Sequence, residues 1–215
     1  MARHSGRQQI SIPGPAGELE ALLEAPEGKE PIGSAVVCHP HPAHGGTMQN
    51  KVAHTLARAF VGLGMTALRF NFRGVGASEG AFDQGLGEVD DVIAAATWLR
   101  TEAPDVPLWL AGFSFGAAMA IRAAPVCRPA GLISVAPAVA RFAGSLDHQP
   151  DCPWLIIHGD RDELVAVDDT ITWVNELDPG PELELFPDTD HFFHGRLTLV
   201  RNAVDEFVIR HGAEK

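Results

Sequence analysis

With 215 residues, 46% of them hydrophobic, the chain is long enough to form one domain around a sizeable core. Its 28 acidic and 16 basic residues leave a formal charge of -12, which repels nucleic-acid phosphates and anionic membrane surfaces. Three cysteines, Cys38, Cys127 and Cys152, make no disulfide framework, and no apolar run reaches membrane-spanning length, so a cytoplasmic protein is expected.

Residues 1–7 read as a loose basic tail, and the first ten lack the apolar run that directs secretion. Residues 8–12 and 19–24 are short strand candidates separated by Pro13-Gly-Pro-Ala-Gly17, a turn signal that suits a hairpin at a sheet edge. After a polar loop over 26–31, residues 33–38 (GSAVVC) have the apolar run of a buried strand. They open into the stiff loop His39-Pro-His-Pro-Ala-His-Gly-Gly46. Val52, Leu56, Ala59, Phe60 and Leu63 recur at helical spacing and predict a helix over 49–62, stopped by Gly62 and Gly64. A buried strand over 66–70 feeds a glycine-rich loop over 71–80, and a helix over 88–102 ends before Pro104.

An apolar strand over 108–111, a turn, and an Ala-rich helix limited by Pro125 come next. Strands are expected at 131–136, 153–158 and 182–186, the last alternating acidic and apolar residues as an edge strand does. Helices over 167–175 and 197–211 complete the pattern. Short strands alternating with longer helices indicate an α/β fold: three layers, α/β/α, around a mostly parallel sheet. Nothing within 1–215 marks a domain boundary, and about sixteen residues between 136 and 153 leave no room for a cap domain.

The turn after residues 108–111 reads Gly112-Phe113-Ser114-Phe115-Gly116. G-x-S-x-G between a strand and a small-residue helix is the nucleophile elbow, which lifts a serine Oγ above the end of a sheet. Gly112 and Gly116 are needed because a Cβ on either would push neighbouring backbone out of the turn. Serine is a poor nucleophile near neutral pH and needs a base. His191 and Asp162 both fall just past strand ends, on the edge where such sheets gather polar residues. The order Ser114…Asp162…His191 is that of a triad on this kind of sheet, with imidazole as base and carboxylate fixing its tautomer.

Competing positions exist. His194 lies one turn beyond His191, Asp160 and Glu163 flank Asp162, and His158 reads as a packing or hydrogen-bonding histidine. The expected oxyanion donors are the backbone N–H groups of Phe115, at the helix start, and of His41. Pro40 and Pro42 have no N–H, which leaves Ala43 as the other nearby donor. Phe113, Phe115, Phe192 and Phe193 are candidates either for apolar pocket walls or for the core. The His39-x-His41-x-x-His44 spacing resembles a binuclear-metal loop, but Ala43 stands where an aspartate is usual, so no metal is expected. Residues 74–80 lack the lysine of a phosphate loop. Arg69 and Arg73 are expected to brace acidic groups such as Glu79 or Asp83.

The segments HPHPAHGGTMQNKV (39–52), LRFNFRGVGASEG (68–80), GFSFGA (112–117), HGDRDELV (158–165) and DHFF (190–193) together resemble the α/β-hydrolase superfamily, in its small, lidless, dienelactone-hydrolase-like branch. The resemblance implies Ser114 as nucleophile, Asp162 as orienting acid, His191 as general base and the His41 and Phe115 amides as oxyanion donors. It implies no cofactor and cleavage of a small acyl substrate, an ester or thioester. Ser114 replaces the cysteine typical of true dienelactone hydrolases. Two other readings stay open: perhydrolase or haloperoxidase-like chemistry on the same triad, and a non-enzymatic scaffold. The oligomeric state is also open, a homodimer included.

Overall fold

The computed structural model describes residues 6–143, 146 and 148–212. The strands are β1 (Gly6–Gly14), β2 (Gly17–Ala25), β3 (Ser34–Cys38), β4 (Thr66–Phe70), β5 (Leu108–Phe113), β6 (Gly131–Val135), β7 (Trp154–Gly159) and β8 (Glu182–Phe186). They form one sheet in the order β1-β2-β4-β3-β5-β6-β7-β8. The β1–β2 hairpin is antiparallel and docks antiparallel on β4; every other pairing is parallel. β1 begins at Gly6, paired with Ala25, so residues 6 and 7 belong to the sheet and not to a tail. The rest of the expected tail, residues 1–5, lies outside the described residues.

The five strands from β3 to β7 are buried along their whole length, which is why they read as unbroken apolar runs. Alternate residues nevertheless serve opposite faces, as the period of a strand requires. Val36, Leu68, Leu110, Leu132 and Ile156 point to one core, while Ala35, Val37, Ala67, Trp109, Ala111, Ile133 and Ile157 point to the other. The first core is closed by α2 (Gly87–Glu102) and α3 (Phe115–Cys127), with α4 (Val167–Asn175) packing Trp173 and Val174 at its rim. The second is closed by α1 (Lys51–Gly62) and α5 (Leu197–Gly212). This is the three-layer arrangement, with no large inserted cap among the described residues.

Most boundaries differ from expectation by one or two residues, and two of the helix ends have a clear local cause. α1 starts at Lys51 because Asn50 caps it, its Oδ1 accepting from the Val52 and Ala53 N–H groups. α3 runs past Pro125 to Cys127, since a proline in the last turn removes only one helical bond, and Arg128 ends the helix in the left-handed region. The chain moves from β3 to β4 on one side and then to β5 on the other. The crevice between the carboxyl ends of β3 and β5 is therefore the switch point where such sheets bind ligands.

Candidate active site

Four strand ends meet above this crevice: β3 carries His41, β5 carries Ser114, β7 carries Asp162 and β8 carries His191. Ser114 has φ 55° and ψ -114°, a backbone conformation that costs free energy for any residue with a Cβ. Its surroundings hold it there. The Ser114 N–H donates to the Val135 carbonyl at 2.8 Å, and its own carbonyl accepts from Ala118 at 3.2 Å. A Cβ on Gly112 would run into the Gly116 carbonyl, and one on Gly116 into the carbonyls of Cys38 and His39. The elbow thus exists only because the helix start can touch the end of β3.

The Ser114 hydroxyl and His191 Nε2 are 3.1 Å apart, and His191 Nδ1 lies 2.7 Å from Asp162 Oδ2. Because Nδ1 faces a carboxylate, it carries the proton and donates, leaving Nε2 free to accept from the Ser114 hydroxyl. Asp162 Oδ1 accepts from the Leu164 and Val165 N–H groups at 2.9 and 2.7 Å. Burial alone would push the Asp162 carboxyl up, but hydrogen bonds from His158, His191 and Val165 overcome it and hold the group far below the usual carboxylate range. The acid is therefore ionised throughout the neutral pH range.

The competing residues are placed elsewhere. His194 is exposed and pairs with Asp190 at 2.8 Å. Asp160 accepts from the Thr189 N–H at 3.4 Å and braces the turn, while Glu163 accepts from the His191 backbone N–H at 3.4 Å. His158 meets Asp162 Oδ2 at 3.1 Å. The Ala43 N–H is occupied by His41 Nδ1 at 3.2 Å, whereas the His41 N–H makes no hydrogen bond among the described residues. The Phe115 N–H, at the first position of α3, has no intrahelical acceptor.

The aromatic residues divide. Phe113 is fully buried with its ring 4.9 Å from that of His191, so it supports the imidazole from the core and faces no open cleft, contrary to a pocket-lining role. Phe192 is 40% exposed and, with Phe193, borders a half-open cavity of about 430 Å³ between the residue 45–52 segment and the residue 192–197 segment. Thr47, Gln49, Lys51 and His194 supply its polar lining. The His41 ring lies 5.0, 5.1 and 5.5 Å from the rings of Phe82, Phe115 and Phe142. Phe82 and Phe142 were not legible as site residues, since Phe82 sits in a loop and Phe142 in a single π-helical turn over Val139–Ala143, both too short to show periodicity.

Around the site, both ring nitrogens of His39 are engaged by backbone: Nδ1–H donates to the Pro40 carbonyl at 2.6 Å, and Nε2 accepts from the Phe72 N–H at 3.1 Å. No group of three or more metal-ligating side chains gathers among the described residues. Arg69 and Arg73 do brace acids, but their partners are Glu24 at 2.7 Å and Asp91 at 2.8 Å, not Glu79 or Asp83. Those partners come from β2 and α2, neighbours that only folding provides.

Residues 34–145, just over half the chain, match the Hydrolase_4 family, described as serine aminopeptidase, S33. The chain belongs to that family. Among similar solved structures, a Xanthomonas campestris a/b serine hydrolase without lid, XC6422, is 44% identical with a TM-score of 0.91, covering 96% of this chain and 95% of the other. An alpha-beta serine hydrolase homologue from Coxiella burnetii is 42% identical with a TM-score of 0.90, covering 95% of this chain and 99% of the other. The uncharacterized protein RP471 of Rickettsia prowazekii is 35% identical over 213 residues, covering 94% of this chain and 88% of its own. The Xanthomonas and Coxiella structures thus share this chain's layers, and here the Ser–His–Asp geometry of a serine hydrolase sits, largely buried, at the carboxyl ends of the strands. No helix among the described residues is long and apolar enough to cross a membrane.

Proposed function

We propose that the chain hydrolyses a carboxylic ester or thioester through an acyl-enzyme on Ser114, with His191 as general base and acid, Asp162 as the orienting carboxylate, and the His41 and Phe115 amides as oxyanion donors. One observation carries this: an unbroken hydrogen-bonded line from the Ser114 hydroxyl through His191 to a buried, ionised Asp162. His191 Nε2 takes the hydroxyl proton as Oγ attacks the carbonyl carbon. The negative charge on the carbonyl oxygen falls to the two free amides. The imidazolium then protonates the departing alcohol or thiol, and the acyl group stays on Oγ. A water deprotonated by His191 repeats the sequence and releases the acid.

The departing atom must lie on the His191 side of Ser114. Phe192, whose ring lies 5.1 Å from that of His191, borders the cavity with Lys51 and His194, so we assign that cavity to the leaving group and the His41, Phe82 and Phe142 rings to the acyl chain. A charge of -12 supports a neutral acyl substrate over a nucleic acid, and three unpaired cysteines support a reducing, cytoplasmic setting. The test is a series of p-nitrophenyl esters and acyl-thioesters of increasing chain length, run with Ser114→Ala and a fluorophosphonate label. The parent turns over short substrates and is labelled; Ser114→Ala folds but loses turnover by about 10³-fold or more and takes no label. Turnover retained by the alanine variant would remove Ser114 as nucleophile.

A further inference from the structure

We infer that His158 is a positioning residue for Asp162, its Nε2–H donating to the Val165 carbonyl and shared with Oδ2, the same oxygen that accepts from His191 Nδ1. The inference rests on the triad assigned above and adds a second imidazole behind it. His158 is fully buried at the end of β7, and its Nε2 lies 3.1 Å from Asp162 Oδ2 and 3.0 Å from the Val165 carbonyl oxygen. A carboxylate and a carbonyl can only accept, so Nε2 bears the proton. Nδ1 is buried with no hydrogen-bond partner, and a proton there would be an unsatisfied donor on a buried cation. The surroundings therefore fix a neutral ring in one tautomer, a donor and never a base.

The consequence is a carboxylate gripped at both ends. The Leu164 and Val165 amides hold Oδ1; His158 and His191 share Oδ2. With the amides alone, Oδ2 could swing about the Oδ1 anchor, and His191 would swing with it. His158 closes that freedom from a strand of the sheet, a rigid support. The hydrogen bond from His158 heads the interactions that pull the Asp162 carboxyl down against burial. The other ionisable groups at this edge have their own partners: Glu163 accepts from the His191 backbone, Asp160 from Thr189, and Asp190 from His194.

The experiment compares His158→Leu, which removes the donor and keeps bulk, with His158→Gln, whose amide N–H extends toward the place of Nε2. Kinetics use p-nitrophenyl acetate across pH. The low-field proton resonance of His191 Nδ1–H and the thermal midpoint are read in parallel. In His158→Leu, kcat falls about tenfold while KM stays within about twofold. The acid limb of kcat/KM moves to higher pH, because the charge on Oδ2 now bears on His191 alone and stabilises the imidazolium. The low-field resonance shifts, and His158→Gln restores most of the rate. A leucine variant that keeps the parent's kcat, acid limb and resonance, with only its thermal midpoint lowered, would reduce His158 to a packing residue. Equal impairment of both variants would do the same. If no form hydrolyses the ester, the acyl-enzyme reading has failed, and the resonance alone decides the role of His158.

Discussion

His39 occupies the last turn of backbone before the oxyanion loop, and its ring ties that loop to the segment after β4 through Pro40 and Phe72. Complete burial lowers its pKa to about 4, against a smaller upward pull from the Pro40 carbonyl. The folded chain therefore refuses a proton that the unfolded chain accepts below about 6.5. Stability from this group is intact above that pH and is lost as pH falls toward 4, by about 3 kcal/mol in all. Urea midpoints measured from pH 7 to pH 4 should fall, and His39→Asn should flatten that slope. His41 and His54, which burial also lowers, and Glu20, which the Ala77 amide holds low, add to that slope, while Glu184 and Asp205, which burial raises, oppose it. At this scale the chemically active residues were legible because a G-x-S-x-G turn and two polar residues after strands have few other uses. The partners of Arg69 and Arg73 were not, because an ion pair across 45 or 18 residues leaves no local pattern.

Among the elements, the elbow has the least tolerance. β5 and α3 meet at a residue whose backbone no ordinary strand or helix would adopt, and the glycines allow α3 to start against the end of β3. In Gly116→Ala, the added methyl meets the carbonyls of Cys38 and His39, which are backbone and cannot rotate aside. The expected cost is about 1–3 kcal/mol, seen as a lower denaturant midpoint. Activity should fall further than stability implies, because the displaced segment is the one that aims the His41 amide. An alanine variant with unchanged midpoint and rate would show that the contact can relax. Helix positions were legible from the recurrence of apolar residues, and their ends only where a cap such as Asn50 or a glycine marks them. Pro125 misled because position within the last turn, not residue type, sets the effect of a proline.

For the whole molecule, the charge of -12 gives a net field that opposes the approach of anionic substrates. Raising ionic strength to about 0.15 M should therefore increase kcat/KM for an ester with an anionic leaving group and leave a neutral ester nearly unchanged. Equal response of the two would mean that Lys51 and the cavity it lines cancel the global field locally. The amino-acid sequence by itself determined the layered α/β class, the elbow and the order of the triad, because each follows from local spacing: period two or none in strands, recurrence in helices, glycines around one serine. Tertiary structure alone decided that Phe113 lies under His191 and not in a cleft. It alone gave the Ala43 amide to His41, and it set a second imidazole against Asp162. Those outcomes depend on which strand ends become neighbours, and strand order is fixed by the packing of both cores together.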